Sequence, residues 1–438
     1  MSITGIKRLK PLVWTLVNPG RGLPGQLIIQ YTDRCNATCP QCGMRVTNRF
    51  SRSTLGLDST KRLIEDAAER GIKAISFTGG EPLLYLHDIA TLVSHARKMG
   101  IEYTRTGTNG FLFANSESPG FQESVAKVAD KLAESGLYTF WISLDSADAA
   151  VHEEMRGLPG VVKGIEKALP IFESRGIYPS VNLGINRNLG RQRSPEVFEP
   201  LFFYEFFRDA LRAYYRRVCE MGFTIANACY PMSLEAGLTD SDAVYAAASA
   251  DNIVMFTRAQ KELLFKALYD TIAEFRPKLR IFTPRSSLYA LIRQMAGDEE
   301  FSFPCRGGLD FFFVSARDGT AYSCGYRGEE NLGALPHLPR KHRTKAASCR
   351  LCEWECFRDP SEMLGPVVAL FTDPVAFYRK MVRNGDYRRL WIEDLRYYSA
   401  CDFFDARRPP DYEKLSRFGL PKSSSVAGND PLYSGELI

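Results

Sequence analysis

The sequence predicts an α/β protein, built as a partial (β/α)6 barrel with a small Cys-rich unit after it and a helical tail at the end. Three observations predict this. Between residues 25 and 231, short β-rich runs alternate with helical stretches at spacings that suit parallel strands joined by crossover helices. After Pro304 the texture turns Gly-rich, Cys-rich and short-stranded, and beyond Pro360 helical patterning returns.

Six runs read as the barrel strands: 26–31, 74–77, 103–106, 140–144, 181–185 and 223–226. The helices between them carry their own ends. One opens at Asp58 and Ser59, aligns Leu63, Ile64 and Ala67 on one face and stops at Gly71; others run over 88–100 and 123–136. Residues 194–220 break the rhythm with an aromatic-rich helix that includes Phe198, Phe202, Phe203, Phe206, Phe207 and Tyr214, and a further helical stretch covers 240–275. The chain therefore divides into an extension (1–24), a barrel (25–300) with a helical insertion at about 194–275, a Cys-rich unit (301–360) and a tail (361–438). From Ser423 onward the tail is polar enough to be disordered.

Composition narrows the function classes. The 438 residues are 45% apolar and 24% charged, ordinary for a folded domain. A net charge of +5 from 56 basic and 51 acidic residues, with no dense basic block, gives no reason to expect nucleic acid. The apolar run at 11–17 is short and lacks a cleavage site, and no run reaches the roughly 18 residues of a membrane span. A cytoplasmic protein is expected, and in that compartment eleven cysteines point to metal ligation rather than disulfides. Eight fall in two groups; of the rest, Cys219 and Cys229 read as small buried apolar residues.

The first group, Cys35-x3-Cys39-x2-Cys42, follows the first strand directly. Three thiolates so closely spaced can hold three corners of a 4Fe-4S cubane and leave one iron open, or can contribute to a zinc site completed from elsewhere. The second strand ends in Gly79-Gly80-Glu81-Pro82, where two glycines let the backbone approach a ligand closely. The fourth ends in Ser143-Leu144-Asp145-Ser146.

The loop 35–42 together with Gly79-Gly80-Glu81-Pro82 resembles the signature segments of the radical S-adenosylmethionine (SAM) superfamily. The resemblance implies that Cys35, Cys39 and Cys42 bind a 4Fe-4S cluster whose open iron is chelated by the amino and carboxylate groups of SAM. It further implies that Gly79, Gly80 and Glu81 hold the SAM amino end, and that Ser143, Asp145 and Asn182 face SAM. Thr108, Asn109, Gly110, Asn186 and Arg156 are weaker matches; each is equally readable as a turn, cap or exposed helix-start residue. Gln41 departs from the pattern, which usually has an aromatic residue there. The activity implied is reductive cleavage of SAM to a 5′-deoxyadenosyl radical that takes hydrogen from an unidentified substrate. The electron would come from an external donor such as a flavodoxin or ferredoxin.

The second group, Cys305-x13-Gly319-x4-Cys324 with Cys349, Cys352 and Cys356, resembles the SPASM or twitch extension of that superfamily. Asp318-Gly319 suits a hairpin turn that would bring Cys305 and Cys324 together. The resemblance implies one auxiliary 4Fe-4S cluster on Cys305, Cys324, Cys349 and Cys352, with Cys356 competing for the fourth place and zinc as the alternative metal. An iron–sulfur electron carrier and a zinc-binding module are the competing function classes. The aromatic helix and the tail, which mixes Val367, Leu370, Phe371, Phe377, Trp391 and Tyr398 with Arg379, Lys380, Arg383, Arg388 and Arg389, read either as core or as interfacial helices. The second reading implies peripheral membrane contact and an apolar substrate.

Overall fold

The structure is a computed structural model and describes residues 25–45, 51–190, 197–231, 233, 244–245, 248–326, 329–338, 348–351 and 354–419. The extension 1–24, the segment from Ser423 onward and Cys352 lie outside the described residues.

Six parallel strands follow in order: β1 (Gly25–Thr32), β2 (Ile72–Gly79), β3 (Tyr103–Thr108), β4 (Thr139–Ser143), β5 (Ser180–Gly184) and β6 (Ile225–Cys229). Each overlaps a predicted run, with ends shifted by up to three residues; β6 starts two residues later and ends three later than expected. A two-residue β7 (Arg280–Ile281) extends the sheet beyond β6. The crossovers are α1 (Leu57–Glu69), α2 (Leu86–Lys98), α3 (Phe121–Ser135), the pair α4 (Ala149–Arg156) and α5 (Val161–Glu173), and α6 (Pro200–Met221). Strand alternation explains the packing: Leu27, Ile29, Ile75, Phe77, Phe140, Ile142, Val181 and Leu183 share the face covered by these helices and are all buried. Phe203, Phe207, Leu211 and Tyr214 of α6 join that core, so most of the aromatic helix is barrel packing.

The predicted helix over 240–275 is shorter than expected. Residues 240–243 are outside the described set, and the helix α7 begins only at Arg258 and runs to Phe275. The reason is local: Thr257 and Gln260 form a capping box, and the Asp251 side chain accepts from the backbone N–H of Ile253 in a separate turn upstream. The helix α8 (Arg285–Met295) follows β7.

The Gly-rich segment adds three strands to the other edge of the same sheet. β8 (Phe311–Val314) pairs parallel with β1, and β9 (Ala321–Tyr322) and β10 (Asn331–Gly333) continue antiparallel, giving the order β10-β9-β8-β1-β2-β3-β4-β5-β6-β7 among the described residues. The turn between β8 and β9 contains Asp318 and Gly319, the latter at φ +69°, as the sequence suggested. The tail comprises α9 (Glu355–Thr372), α10 (Pro374–Phe377), α11 (Gly385–Ala400) and α12 (Tyr412–Leu415). It is not a loose appendage. Residues 402–408 cross the starts of β4 and β5, where Tyr138 donates to the carbonyl of Phe403 and the N–H of Tyr178 donates to that of Ala406.

Candidate functional site

Parallel strands place their C-terminal ends at one mouth, and the loops there gather the predicted residues. The loop carrying Cys35, Cys39 and Cys42 leaves β1 and is tied to β2 by two backbone bonds: Gly80 N–H to the carbonyl of Thr32 at 2.8 Å and Glu81 N–H to that of Arg34 at 2.8 Å. The glycines are needed for this approach. A Cβ on Gly79 would lie 2.0 Å from the Thr32 carbonyl oxygen, and one on Gly80 would lie 2.2 Å from that of Arg34.

Glu81 is buried, and its carboxylate accepts from the backbone N–H groups of Leu83 (2.9 Å) and Asn109 (2.7 Å). Burial raises its pKa to about 7, against the lowering effect of those two bonds. Asn109 in turn donates to Asn36 Oδ1 at 2.9 Å and sits 3.9 Å from Cys35 Sγ. Glu81 thus joins β2 and β3 to the cysteine loop.

A second tie runs to β4. Asp145, buried just past that strand, accepts through Oδ2 from Gln41 Nε2 (2.7 Å) and from Arg156 Nε (2.8 Å) and Nη2 (2.6 Å), and through Oδ1 from Gly184 N–H (3.1 Å). Arg156 is therefore not an exposed helix-start residue; it ends α4 and is largely covered, its side chain 12% exposed, in an ion pair with Asp145. Burial opposes its charge, but Asp145 and the sulfurs of Cys39 and Cys42 more than offset this and keep it protonated. Gln41 has a structural reason as well, since its amide donates to Asp145, a bond that a phenylalanine could not make.

Burial pushes all three thiols of the loop up in pKa, while Arg156 pulls them down. Arg52 adds a second cation near Cys35 and Cys42, held by the carbonyl of Asp33 at 2.7 Å. The donor set, three mutually influencing thiols flanked by two guanidinium groups, fits an anionic iron–sulfur cluster. The sulfurs do not converge as they stand: among the described residues no three His, Cys, Asp or Glu side chains form a metal-holding group.

Ser143 is half-buried on the inner face, in register with Asn182. Asn182 accepts from Asn227 Nδ2 (3.0 Å) and from the thiol of Cys229 (3.2 Å), so Cys229 belongs to this polar face and is not merely a small apolar residue. Asn186 is fully buried and braces the carbonyls of Asp145 and Gly184, a turn role.

In the second group, Cys305 and Cys349 face each other across an antiparallel bridge, Cys305 N–H to Cys349 O at 2.8 Å. Cys305 precedes β8 rather than lying on it. Gly307 and Gly308 bring its loop against Ser323, next to Cys324, where a Cβ on Gly307 would meet the Ser323 carbonyl at 2.5 Å. Cys356 opens toward different neighbours: it donates to Glu355 Oε1 at 3.5 Å, and its electrostatic surroundings are Glu355, Arg105 and Asp359. Sequence reading passed over Arg52 and Arg105, which stand in no motif; it noted Gln41 only as a departure from the pattern and took Cys229 as a small apolar residue.

The sequence profile described as the Radical SAM superfamily matches residues 29–186, the span holding the cysteine loop, Gly79–Glu81 and the Asp145–Arg156 pair. The chain carries a radical SAM domain. Among curated proteins, this chain is 32% identical over 176 residues to a probable GTP 3′,8-cyclase of Sulfolobus acidocaldarius, covering 40% of this chain and 50% of that one. It is 23% identical over 325 residues to an AdoMet-dependent heme synthase of Nitratidesulfovibrio vulgaris, covering 71% and 76%. It is 26% identical over 165 residues to a PqqA peptide cyclase of Xanthomonas euvesicatoria, covering 38% and 41%. The chain thus spans about half or less of the first and third of these relatives. No helix among the described residues is long and apolar enough to cross a membrane.

Proposed function

We propose that this radical SAM protein is an enzyme in which Cys35, Cys39 and Cys42 hold a 4Fe-4S cluster with one open iron. SAM binds beside it along Gly79, Gly80, Glu81, Ser143, Asp145 and Asn182, and Cys305, Cys324, Cys349 and Cys352 hold one auxiliary 4Fe-4S cluster, with Cys356 competing for the fourth place. When bound, the cluster and SAM supply a 5′-deoxyadenosyl radical that takes hydrogen from the substrate. An external one-electron donor such as a flavodoxin or ferredoxin provides the electron. Free thiols and an iron–sulfur site suit a reducing cytoplasm.

The observation that carries this reading is the continuous polar brace at the strand mouth, from Asn109 and Glu81 through the cysteine loop to Gln41, Asp145 and Arg156. The brace fixes the loop while Arg156 and Arg52 offset its negative charge. An electron carrier needs neither a three-cysteine loop nor this shared mouth. Cys39→Ala is expected to abolish 5′-deoxyadenosine formation and to leave the auxiliary cluster in place; wild-type turnover in that variant, or zinc without iron in the reconstituted protein, would overturn the assignment.

Peripheral membrane contact has one supporting feature. Leu370, Phe371, Val375, Tyr378 and Val382 are exposed near Arg379 and Arg383 at the turn of the tail, while Val197, Leu201 and Phe202 are exposed at the start of α6. Flotation with anionic vesicles at low salt tests it, and a wholly soluble protein removes it.

A further inference from the structure

The face of the sheet opposite the crossover helices is polar where the radical SAM reading would seat a substrate. Thr78 of β2, Arg105 of β3, Asn182 of β5 and Cys229 of β6 share the parity that faces away from those helices. They surround the start of α9. Tyr245 shares a hydrogen bond with Thr78 (2.9 Å), and Glu355 and Cys356 are the electrostatic neighbours of Cys229.

Arg105 is out of balance with these surroundings. It lies three residues before the end of β3, hence about 10 Å below the mouth where the cysteine loop sits. Its register neighbours are Ser76 and Thr139, neither of which carries charge. Its Nε is buried and meets no acceptor among the described residues. Among the described residues, the one group that favours its charge is the sulfur of Cys356. Glu355 does not supply the missing partner: its Oε1 accepts from Cys356, and its Oε2 is buried without a donor. Arg156 and Arg52 near the mouth are matched, by Asp145 and by backbone carbonyls, and Arg276, whose Nε is also unpartnered, is held by Asp394. A buried Nε–H without an acceptor is costly, and on a half-buried arginine whose planar fork stays open it suits a carboxylate or phosphate in two-point contact.

We propose that Arg105 is a substrate-binding residue, and that the substrate carries a carboxylate or phosphate seated on its guanidinium inside the barrel, with Asn227 and Cys229 contacting the neutral polar part. This rests on the radical SAM reading for the place of the substrate. It replaces the apolar substrate that the aromatic segments suggest from sequence, because those aromatics are mostly core.

The test uses reconstituted holoenzyme, with inorganic phosphate and succinate as probes and melting temperature as the readout. Wild type is expected to melt higher as either anion is added, saturably, because a ligand that binds only the native state stabilises it. Arg105→Gln and Arg105→Met are each expected to melt higher than wild type without anion, by about 2 °C or more, and to lose the anion-dependent rise. A structural arginine would give the reverse, a lower melting point with the rise retained, and that result or an unfolded variant overturns the proposal. So does a wild-type protein indifferent to both anions. Repeating the titration with S-adenosylhomocysteine bound separates the two sources of carboxylate: if the phosphate rise vanishes, Arg105 serves SAM and not the substrate. 5′-Deoxyadenosine is measured in the same wild-type samples. If none forms, the radical SAM reading fails; if it forms without an anion effect, only the Arg105 assignment does.

Discussion

Asp145 shows how a residue picked from a motif can act through its neighbours. Its carboxylate hydrogen bonds are internal, to Gln41, Arg156 and Gly184, so its first role is to fix the loop rather than to present a free carboxylate. Asp145→Asn leaves Arg156 largely covered without its counter-charge and is expected to destabilise the cluster-free protein by about 3–5 kcal/mol in urea unfolding. A loss under 1 kcal/mol would mean the pair is not the brace described. His152 gives a pH prediction. It is buried, its Nδ1 accepts from Asp145 N–H at 3.0 Å, and burial followed by the charge of Arg156 lowers its pKa to about 4 from 6.5. Between those values the unfolded chain binds a proton that the folded chain does not, so the contribution of His152 is present above pH 6.5 and is lost as pH falls toward 4, up to about 3 kcal/mol. His152→Gln should flatten that decline; an unchanged profile would remove His152 from its cause. Cys35, Cys39, Cys42, Gly79 and Gly80 were legible because each sits in a fixed spacing. Arg156 and Arg105 were not, since their meaning comes from partners that are distant in sequence or missing.

At the scale of elements, strands were the easiest to read, because a β run with one face on helices carries Ile, Val, Leu and Phe at alternate positions. Helix α7 was misjudged because its start depends on the Thr257 capping box, a signal weaker than the apolar pattern around it. The short β7 and the crossing at 402–408 had no local signal. Asp402, Phe403 and Phe404 all hold positive φ, and the stretch is held there by the packing of Phe404 with Phe282 and Tyr398 and by the bonds from Tyr138 and Thr139 to its carbonyls. The contact of β2 with the cysteine loop yields an element-level prediction. Gly80→Ala puts a Cβ 2.2 Å from the Arg34 carbonyl oxygen and 2.9 Å from Cys35 Cβ, so the loop must shift. Iron bound at this loop should fall severalfold while the far-ultraviolet spectrum is kept. Full iron loading would show that the close approach is not needed for the site.

The whole molecule is closed by its tail, and this is the level at which the sequence said least. β7 leaves an edge, covered among the described residues not by another strand but by Tyr397 of α11: its hydroxyl accepts from Ile281 N–H at 2.8 Å and donates to the Leu279 carbonyl at 2.6 Å. Three residues earlier, Asp394 is fully buried and accepts from Arg276 (2.5 Å) and from the backbone N–H groups of Arg285 (3.2 Å) and Ser286 (2.8 Å), which opens α8. Arg276 also lies 4.3 Å over the Tyr397 ring. One carboxylate therefore serves the end of α7, the start of α8 and the tail together. Asp394→Asn keeps the shape but removes the charge opposite a fully buried guanidinium, and is expected to cost about 3–5 kcal/mol. Because barrel and tail share these groups, the loss should appear as one cooperative transition at lower urea, with near- and far-ultraviolet signals still coincident. Two separated transitions, the tail first and the barrel later, would show that the tail is an independent unit and that the edge at β7 is stable without it.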